Sequence, residues 1–426
     1  MKSIINSLGS NYSTKFISLS IRNIFKSDHK NNQLLKSYLE SKYAGKAYLF
    51  YKGRDAIEVA LKVLLKPNSK VLTQAFSCYA VETGIVRAGM KPAYTDIKNN
   101  GTNLDLNTLK QAFAINPEAR AVLVQHSLGI PAEIESIAAW CKDNNLILIE
   151  DLAQAVGGTS QTGKSLGSFA DAIIFSFGRD KILDAVSGGC VVFKKLNISQ
   201  QEKIDIILSA SSFFQLPFKI VLSDLLYPVT TYLIRKLSKF GIGKIIFHLS
   251  KFIGLLSSPI LSKTKVLSKL HPAYSSLILF QISEINNQLE HRKKISKIYF
   301  DEFNKLKNIN QKNDGLQNKS FDQKIKLLIT KSEIENGSNL RFPIAVDNIE
   351  KLLLFLKKNN IRLYDRWYRK AVDCGSFACK TAYQTGSCKN AELLSEQILN
   401  LPTHREISAN DAKRIIKIIN SKAKYI

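Results

Sequence analysis

The chain has 426 residues, 45% of them hydrophobic and 23% charged, proportions that allow a large buried core in about two domains and exclude disorder throughout. Its 61 Lys and Arg outnumber 35 Asp and Glu for a formal charge of +26, which suits an anionic partner such as a phosphorylated small molecule or a membrane surface. An abundance of Lys, Asn and Ile from drift in base composition gives the same excess, and no nucleic-acid-binding motif accompanies it, so nucleic acid is not expected.

Six cysteines, Cys78, Cys141, Cys190, Cys374, Cys379 and Cys388, form no Cys-x-x-Cys pair. They argue against a metal site and a disulfide framework, and for a reducing, cytoplasmic compartment. Met1–Lys30 carries Lys2, Lys15, Arg22 and Lys26 with no acid before Asp28, but no uninterrupted apolar core of signal-peptide kind. Residues 1–40 are therefore expected to be a basic N-terminal extension, either frayed or resting on lipid or a partner.

In Tyr48–Ala60 a short apolar run passes into helical spacing through Ile57 and Leu61. Gly53 and Arg54 then fall at a helix start, where unpaired N–H groups and the helix dipole favour phosphate. Val71-Leu72-Thr73 is a predicted strand, followed by Gln74-Ala75-Phe76-Ser77-Cys78-Tyr79-Ala80. Pro92–Ile97 is the next strand and turn, and Leu123-Val124-Gln125-His126 leads into a loop ending at Pro131. His126 is either a substrate contact or a hydrogen-bonded structural histidine.

Leu146–Ile149 is continuously apolar and stops at Asp151; Ala172–Ser176 is a second such run and stops just before Lys181. Runs of this kind suit parallel strands covered on both faces, whose ends gather ligands. An acid and an amine at two strand ends meet the needs of a pyridoxal phosphate site: the amine bonds the aldehyde, and the acid keeps the pyridine nitrogen protonated. Taken alone, such an Asp is more often a cap and such a Lys a surface group.

The wording around them is more specific. Ile149-Glu150-Asp151-Leu152-Ala153-Gln154-Ala155, then Gly163, Gly167, Asp171, Phe175-Ser176-Phe177, Lys181 and Gly188-Gly189-Cys190-Val191-Val192, closely resembles the DegT/DnrJ/EryC1/StrS family of sugar aminotransferases. The resemblance covers most of residues 40–194 and 275–425. It implies a three-layer α/β large domain with a mostly parallel sheet over residues 41–195, and a smaller α+β C-terminal domain within residues 273–426. It also implies the roles: Asp151 on the pyridinium nitrogen, Gln154 on the ring phenolic oxygen, Ser176 with Gly53 and Arg54 on the phosphate, and Lys181 on the aldehyde carbon. The family's ring-covering aromatic falls on Cys78, with Tyr79 beside it.

Some members that remove a hydroxyl carry His where this chain has Lys181, so the resemblance favours amino transfer. The donor by family habit is glutamate and the acceptor a keto sugar, nucleotide- or lipid-linked, for a surface glycan. A homodimer with sites at the subunit boundary is implied as well. A lyase or dehydratase on the same fold, and a noncatalytic relative that binds a membrane or partner, stay open.

Residues 196–272 depart from the family as an apolar, basic insertion. From Leu225 to Ser283 there is no Asp or Glu. Lys236, Lys239, Lys244, His248 and Lys251 recur near helical spacing, with Ile234, Leu237, Ile245, Leu249, Phe252 and Ile253 on another face. Such a helix either lies on an anionic membrane, here peripherally on its inner face, or packs on protein. Pro217, Pro228 and Pro259 interrupt it, so no spanning helix is expected. The family's Gly-Tyr-Asn-Tyr-Arg segment has its counterpart near Leu267–Pro272, without the Asn. Further on, Lys305–Lys319 is expected to be a loop, Arg366 to meet a substrate carboxylate or phosphate, and Trp367 and Tyr368 to be packing residues.

Overall fold

The computed structural model describes residues 3–25, 28–210, 215–238, 241–256, 266–313, 325–363, 366–375 and 379–423. The first elements are β1 (Ile4–Ile5), α1 (Thr14–Phe25), α2 (Lys30–Tyr43), β2 (Lys46–Phe50), α3 (Gly53–Leu64), β3 (Lys70–Gln74), α4 (Tyr79–Arg87) and β4 (Lys91–Thr95). Next come α5 (Leu106–Ile115), β5 (Ala119–Gln125), α6 (Ile134–Asp143), β6 (Ile147–Asp151), β7 (Ala172–Ser176) and β8 (Gly189–Phe193). The insertion supplies α7 (Ile198–Ser209), α8 (Phe218–Leu237) and α9 (Ile242–Phe252). The remainder is α10 (Pro272–Ser283), α11 (Ile285–Asn313), β9 (Ile325–Leu327), α12 (Lys331–Asn336), β10 (Arg341–Val346), α13 (Ile349–Lys358), β11 (Ile361–Arg362), α14 (Lys389–Gln397), β12 (Ile398–Pro402) and α15 (Ala409–Ala423).

Seven strands form the central sheet in the order β2-β8-β7-β6-β5-β3-β4, parallel from β7 to β4, with β8 antiparallel to both its neighbours. Side chains alternate between two apolar layers. Leu72, Val122, Val124, Leu148, Ile173 and Phe175 meet α1, α2, α5, α6 and α10. Val71, Ala121, Leu123, Ile149, Ala172 and Ile174 meet α3, α4 and α7. Both faces are covered, which is why the strands are apolar without a break. A smaller antiparallel sheet, β12-β10-β9, is backed by α11, α13 and α15 through Tyr299, Phe303, Leu352, Leu356, Ile415 and Ile419. The three-layer α/β domain and the smaller α+β domain are as expected.

The N-terminal segment is no frayed extension. β1 pairs in parallel with β11, Ile4 opposite Ile361. On α1, Phe16 and Ile17 are buried while Lys15 and Arg22 stay exposed, and Ser20 Oγ donates to the Leu225 carbonyl at 2.7 Å. The apolar side of a basic helix has thus found a protein partner in α8. That helix runs through Pro228, because its packing outweighs the one hydrogen bond a proline removes. Its buried Asp224 accepts from Tyr51 OH at 2.7 Å and Tyr274 OH at 3.0 Å, which ties the insertion to the sheet domain.

Two further expectations change. The stretch expected to loop from Lys305 is helical to Asn313 as the end of α11, and residues 314–319 lie outside the described residues, as do Lys239, Pro259, Lys263 and Lys265. Cys374 and Cys379, five residues apart, are joined in a disulfide, a spacing that the Cys-x-x-Cys criterion passes over. Among the described residues no helix is long and apolar enough to cross a membrane.

Candidate active site

Where β5, β6 and β7 end, strand alternation decides which side chains meet. Leu123, Ile149 and Ile174 face the α3 layer, so Gln125, Asp151 and Ser176, each two residues on, face it too. Register keeps them abreast: Gln125 pairs with Asp151, Asp151 with Ile174, and Ser176 with Gly189, which pairs with Phe50 at the end of β2. The start of α3 is thereby set against Ser176. A Cβ on Gly53 would stand 2.8 Å from Ser176 Cβ, so the approach needs glycine. Lys52, preceding the helix, makes no side-chain cap, and the first turn of α3, with Gly53 and Arg54, borders the cavity, where a helix start favours an anion.

The facing rim is the turn between β7 and β8. Its Asp184, 1% exposed, accepts from Tyr12 OH at 2.6 Å, Asn11 Nδ2 at 3.2 Å and the amides of Asp180 and Val186 at 2.8 and 3.2 Å. Asn11 Nδ2 also reaches the Lys181 carbonyl at 3.4 Å. Lys181 is presented from this knot, its Nζ 4.8 Å from the centre of the Trp367 ring. Asp151 Oδ1 accepts from the Ala153 amide at 2.9 Å. Burial pushes the Asp151 pKa up, while that amide and the Lys181 charge pull it down.

The third wall comes from the small domain. Val372 N donates to Ala75 O, Asp373 N to Ser77 O and Tyr79 N to Asp373 O, which docks residues 372–373 along the loop after β3. Trp367 and Tyr368, expected only to pack, both line the cavity. Tyr368 sits edge-on to Phe76, centroids 5.2 Å apart, and its hydroxyl accepts from Gln154 Nε2, while Gln154 Oε1 accepts from Leu128 N at 2.7 Å. The signal available in the sequence was two adjacent aromatics flanked by Arg366 and Arg369. Tyr368→Phe leaves the Gln154 amide short of a partner and is expected to cost about 1–2 kcal/mol. Melting measured with and without pyridoxal phosphate checks it, and identical curves for both proteins would count against a role for the hydroxyl.

One cavity of about 360 Å³ is lined by Gly53, Arg54, Cys78, Asp151, Gln154, Ser176, Lys181 and Arg366. Gln125, which the sequence reading missed, lines it as well; its parity with Leu123 was the signal. His126, one residue off that parity, turns away: it is 0% exposed, its Nδ1 accepts from Ala132 N at 3.0 Å and its Nε2 lies 3.3 Å from Glu150 Oε2. Of its two open readings the structural one is what this geometry fits. Arg366 borders the cavity but donates Nε to Ile398 O at 3.0 Å and Nη2 to Ser395 O and Glu396 O at 2.8 and 3.1 Å. From the cavity rim it also ties down the end of α14. Cys78 caps α4, its Sγ accepting from Ala80 N at 3.4 Å, and burial pushes the thiol pKa up. A larger cavity of about 550 Å³, between the 97–101 turn and the small domain, holds none of these groups.

The donor set suits pyridoxal phosphate end to end. A glycine-started helix with Arg54 and Ser176 fits the phosphate, and Lys181 fits the aldehyde. A protonated pyridine nitrogen would offset the burial that lifts the Asp151 pKa. The class is that of the pyridoxal phosphate-dependent α/β folds, with the site at the carboxyl edge of a mostly parallel sheet.

The chain belongs to the DegT/DnrJ/EryC1/StrS aminotransferase family, which matches residues 27–213 and 235–420 and so reaches further into the insertion than the motifs did. It is 31% identical over 141 residues to the GDP-perosamine synthase of Vibrio cholerae, 33% of this chain and 38% of that protein. It is 36% identical over 138 residues to the dTDP-4-dehydro-2,3,6-trideoxy-D-glucose 4-aminotransferase of Saccharopolyspora spinosa, 32% of this chain and 35% of that protein. The matched stretch thus spans well under half the length of these curated relatives. The S. venezuelae DesV structure, in complex with a ketimine intermediate, superposes with a TM-score of 0.71 at 18% identity over 100% of both chains, a likeness of fold.

Proposed function

We propose that this protein is a pyridoxal phosphate-dependent aminotransferase that moves an amino group from glutamate to the ketone of a nucleotide- or lipid-linked sugar, for a surface glycan. The observation that carries this is the single cavity in which Asp151 and Ser176 share a face beneath the Gly53 turn, with Lys181 on the facing rim. The sugar carrier is supported by charge, since six cationic residues (Lys52, Arg54, Arg179, Lys181, Arg366 and Arg369) line the cavity against three carboxylates.

When bound, pyridoxal phosphate supplies an aldehyde that takes up amines and a ring that accepts electrons. Arg54, Ser176 and the α3 start hold its phosphate, and Asp151 holds the proton on its ring nitrogen. Gln154 has one amide hydrogen for the phenolic oxygen beside the one given to Tyr368. Lys181 Nζ carries the proton to and from the substrate carbon. Walls from both domains keep water from that carbon.

The test is to bind pyridoxal phosphate to the purified protein, add glutamate, and follow the visible spectrum together with release of 2-oxoglutarate. Loss of the visible band with stoichiometric keto acid supports the reading; ammonia without keto acid would move a lyase ahead, and no cofactor binding would sink both. Light scattering on the same preparation reads the assembly, proposed as a cytoplasmic homodimer of 47.8 kDa chains.

A further inference from the structure

We propose that α9 seats the protein on an anionic lipid bilayer. The helix packs on α8 through one side, where Gly243 and Ser250 are buried; a Cβ on Gly243 would stand 2.4 Å from the Ile234 carbonyl oxygen. Turned away from α8 are Ile245, Leu249, Phe252 and Ile253, which are 68, 58, 89 and 58% exposed. At 100° per residue they fall with Ile242 on one arc of about 100°. Lys244 and Lys251, both exposed, fall about 80–100° beyond the Phe252 border of that arc, in the sector between it and the buried side.

This division into a buried side, a bare apolar arc and a cationic flank is that of a helix lying in a membrane interface. At 11 residues it is about 16 Å long, enough to lie flat and too short to cross. Charge selects the occupant. From Leu225 to Ser283 the chain has no carboxylate, so a second copy meeting this face across a twofold axis would set cations against cations. Anionic headgroups meet those cations with opposite charge while acyl chains take up the apolar arc.

The α1 and α8 part of the basic segment is already spent on protein contacts; α9 is what they leave outward. For an aminotransferase such seating brings sugars on lipid carriers within reach, and this consequence alone rests on the proposed function.

The experiment is sedimentation of the full chain with vesicles of phosphatidylcholine, alone or mixed with phosphatidylglycerol. Binding is expected to the mixed vesicles, weakening with salt. Ile245→Ser with Phe252→Ser should lower it about tenfold or more at any salt, and Lys244→Glu with Lys251→Glu should lower it at low salt. These side chains are exposed, so circular dichroism and melting should match the unaltered protein. Failure to bind mixed vesicles, or equal binding by both variants, overturns the proposal. So does a serine variant whose main effect is to dissociate the protein into single chains, since a second copy would then cover the face. No readout passes through the cavity, so vesicle results and aminotransferase results fail separately.

Discussion

Lys181→Ala is expected to lower turnover about 10,000-fold, the upper range for loss of a positioned proton-transfer group, and to abolish borohydride fixation of pyridoxal phosphate to the chain. Non-covalent cofactor binding should survive, because the phosphate cradle at Gly53, Arg54 and Ser176 is built from other elements. The informative control is Lys52, which lines the same cavity with its Nζ 2.5 Å from Ser187 Oγ. If Lys181→Ala still takes the label and peptide mapping finds it on Lys52, the assignment of the reacting amine is wrong. If label and turnover disappear while a spectrum of bound cofactor remains, Lys181 is the amine and its neighbours are the cradle.

Asp184→Ala should destabilise the protein by roughly 3–5 kcal/mol, since it leaves buried donors from Tyr12, Asn11 and two backbone amides without an acceptor. The milder Tyr12→Phe removes one of these bonds, at about 1–2 kcal/mol. Because Asp184 and Asn11 together hold the backbone on either side of Lys181, Tyr12→Phe should also slow labelling of Lys181 several-fold at a temperature where the protein is fully folded. A purely structural knot would shift the melting midpoint and leave that rate alone. Unchanged melting for Asp184→Ala would remove the case for the knot altogether.

The N-terminal segment was misjudged because its partners are remote in sequence. Asn11 and Tyr12 meet Asp184 across 173 and 172 residues, and nothing in the first forty residues names that acceptor. Trp367 and Tyr368 were misjudged for a related reason: whether an aromatic pair packs or lines a cavity depends on where residues 372–373 dock, here along the loop after β3. His126 could have been placed without the structure, since strand parity with Leu123 assigns Gln125 to the cavity face and turns its neighbour to the other.

The sequence by itself determined the parallel sheet, through unbroken apolar runs that only a doubly covered strand tolerates, and the positions of Asp151 and Ser176, through local spacing at the strand ends. Those are properties of short stretches, set by the period of two along a strand and by where it stops. Tertiary structure alone decided which basic amphipathic helix is covered and which is bare. α1 and α8 carry apolar and cationic residues as α9 does, but they bury their apolar sides on each other and on the sheet domain, whereas α9 packs through Gly243 and Ser250 and leaves Ile245 and Phe252 outward. Covering a helix is a matter of which surfaces meet in space, and hydrophobic attraction has no direction along the chain by which a sequence could record the choice.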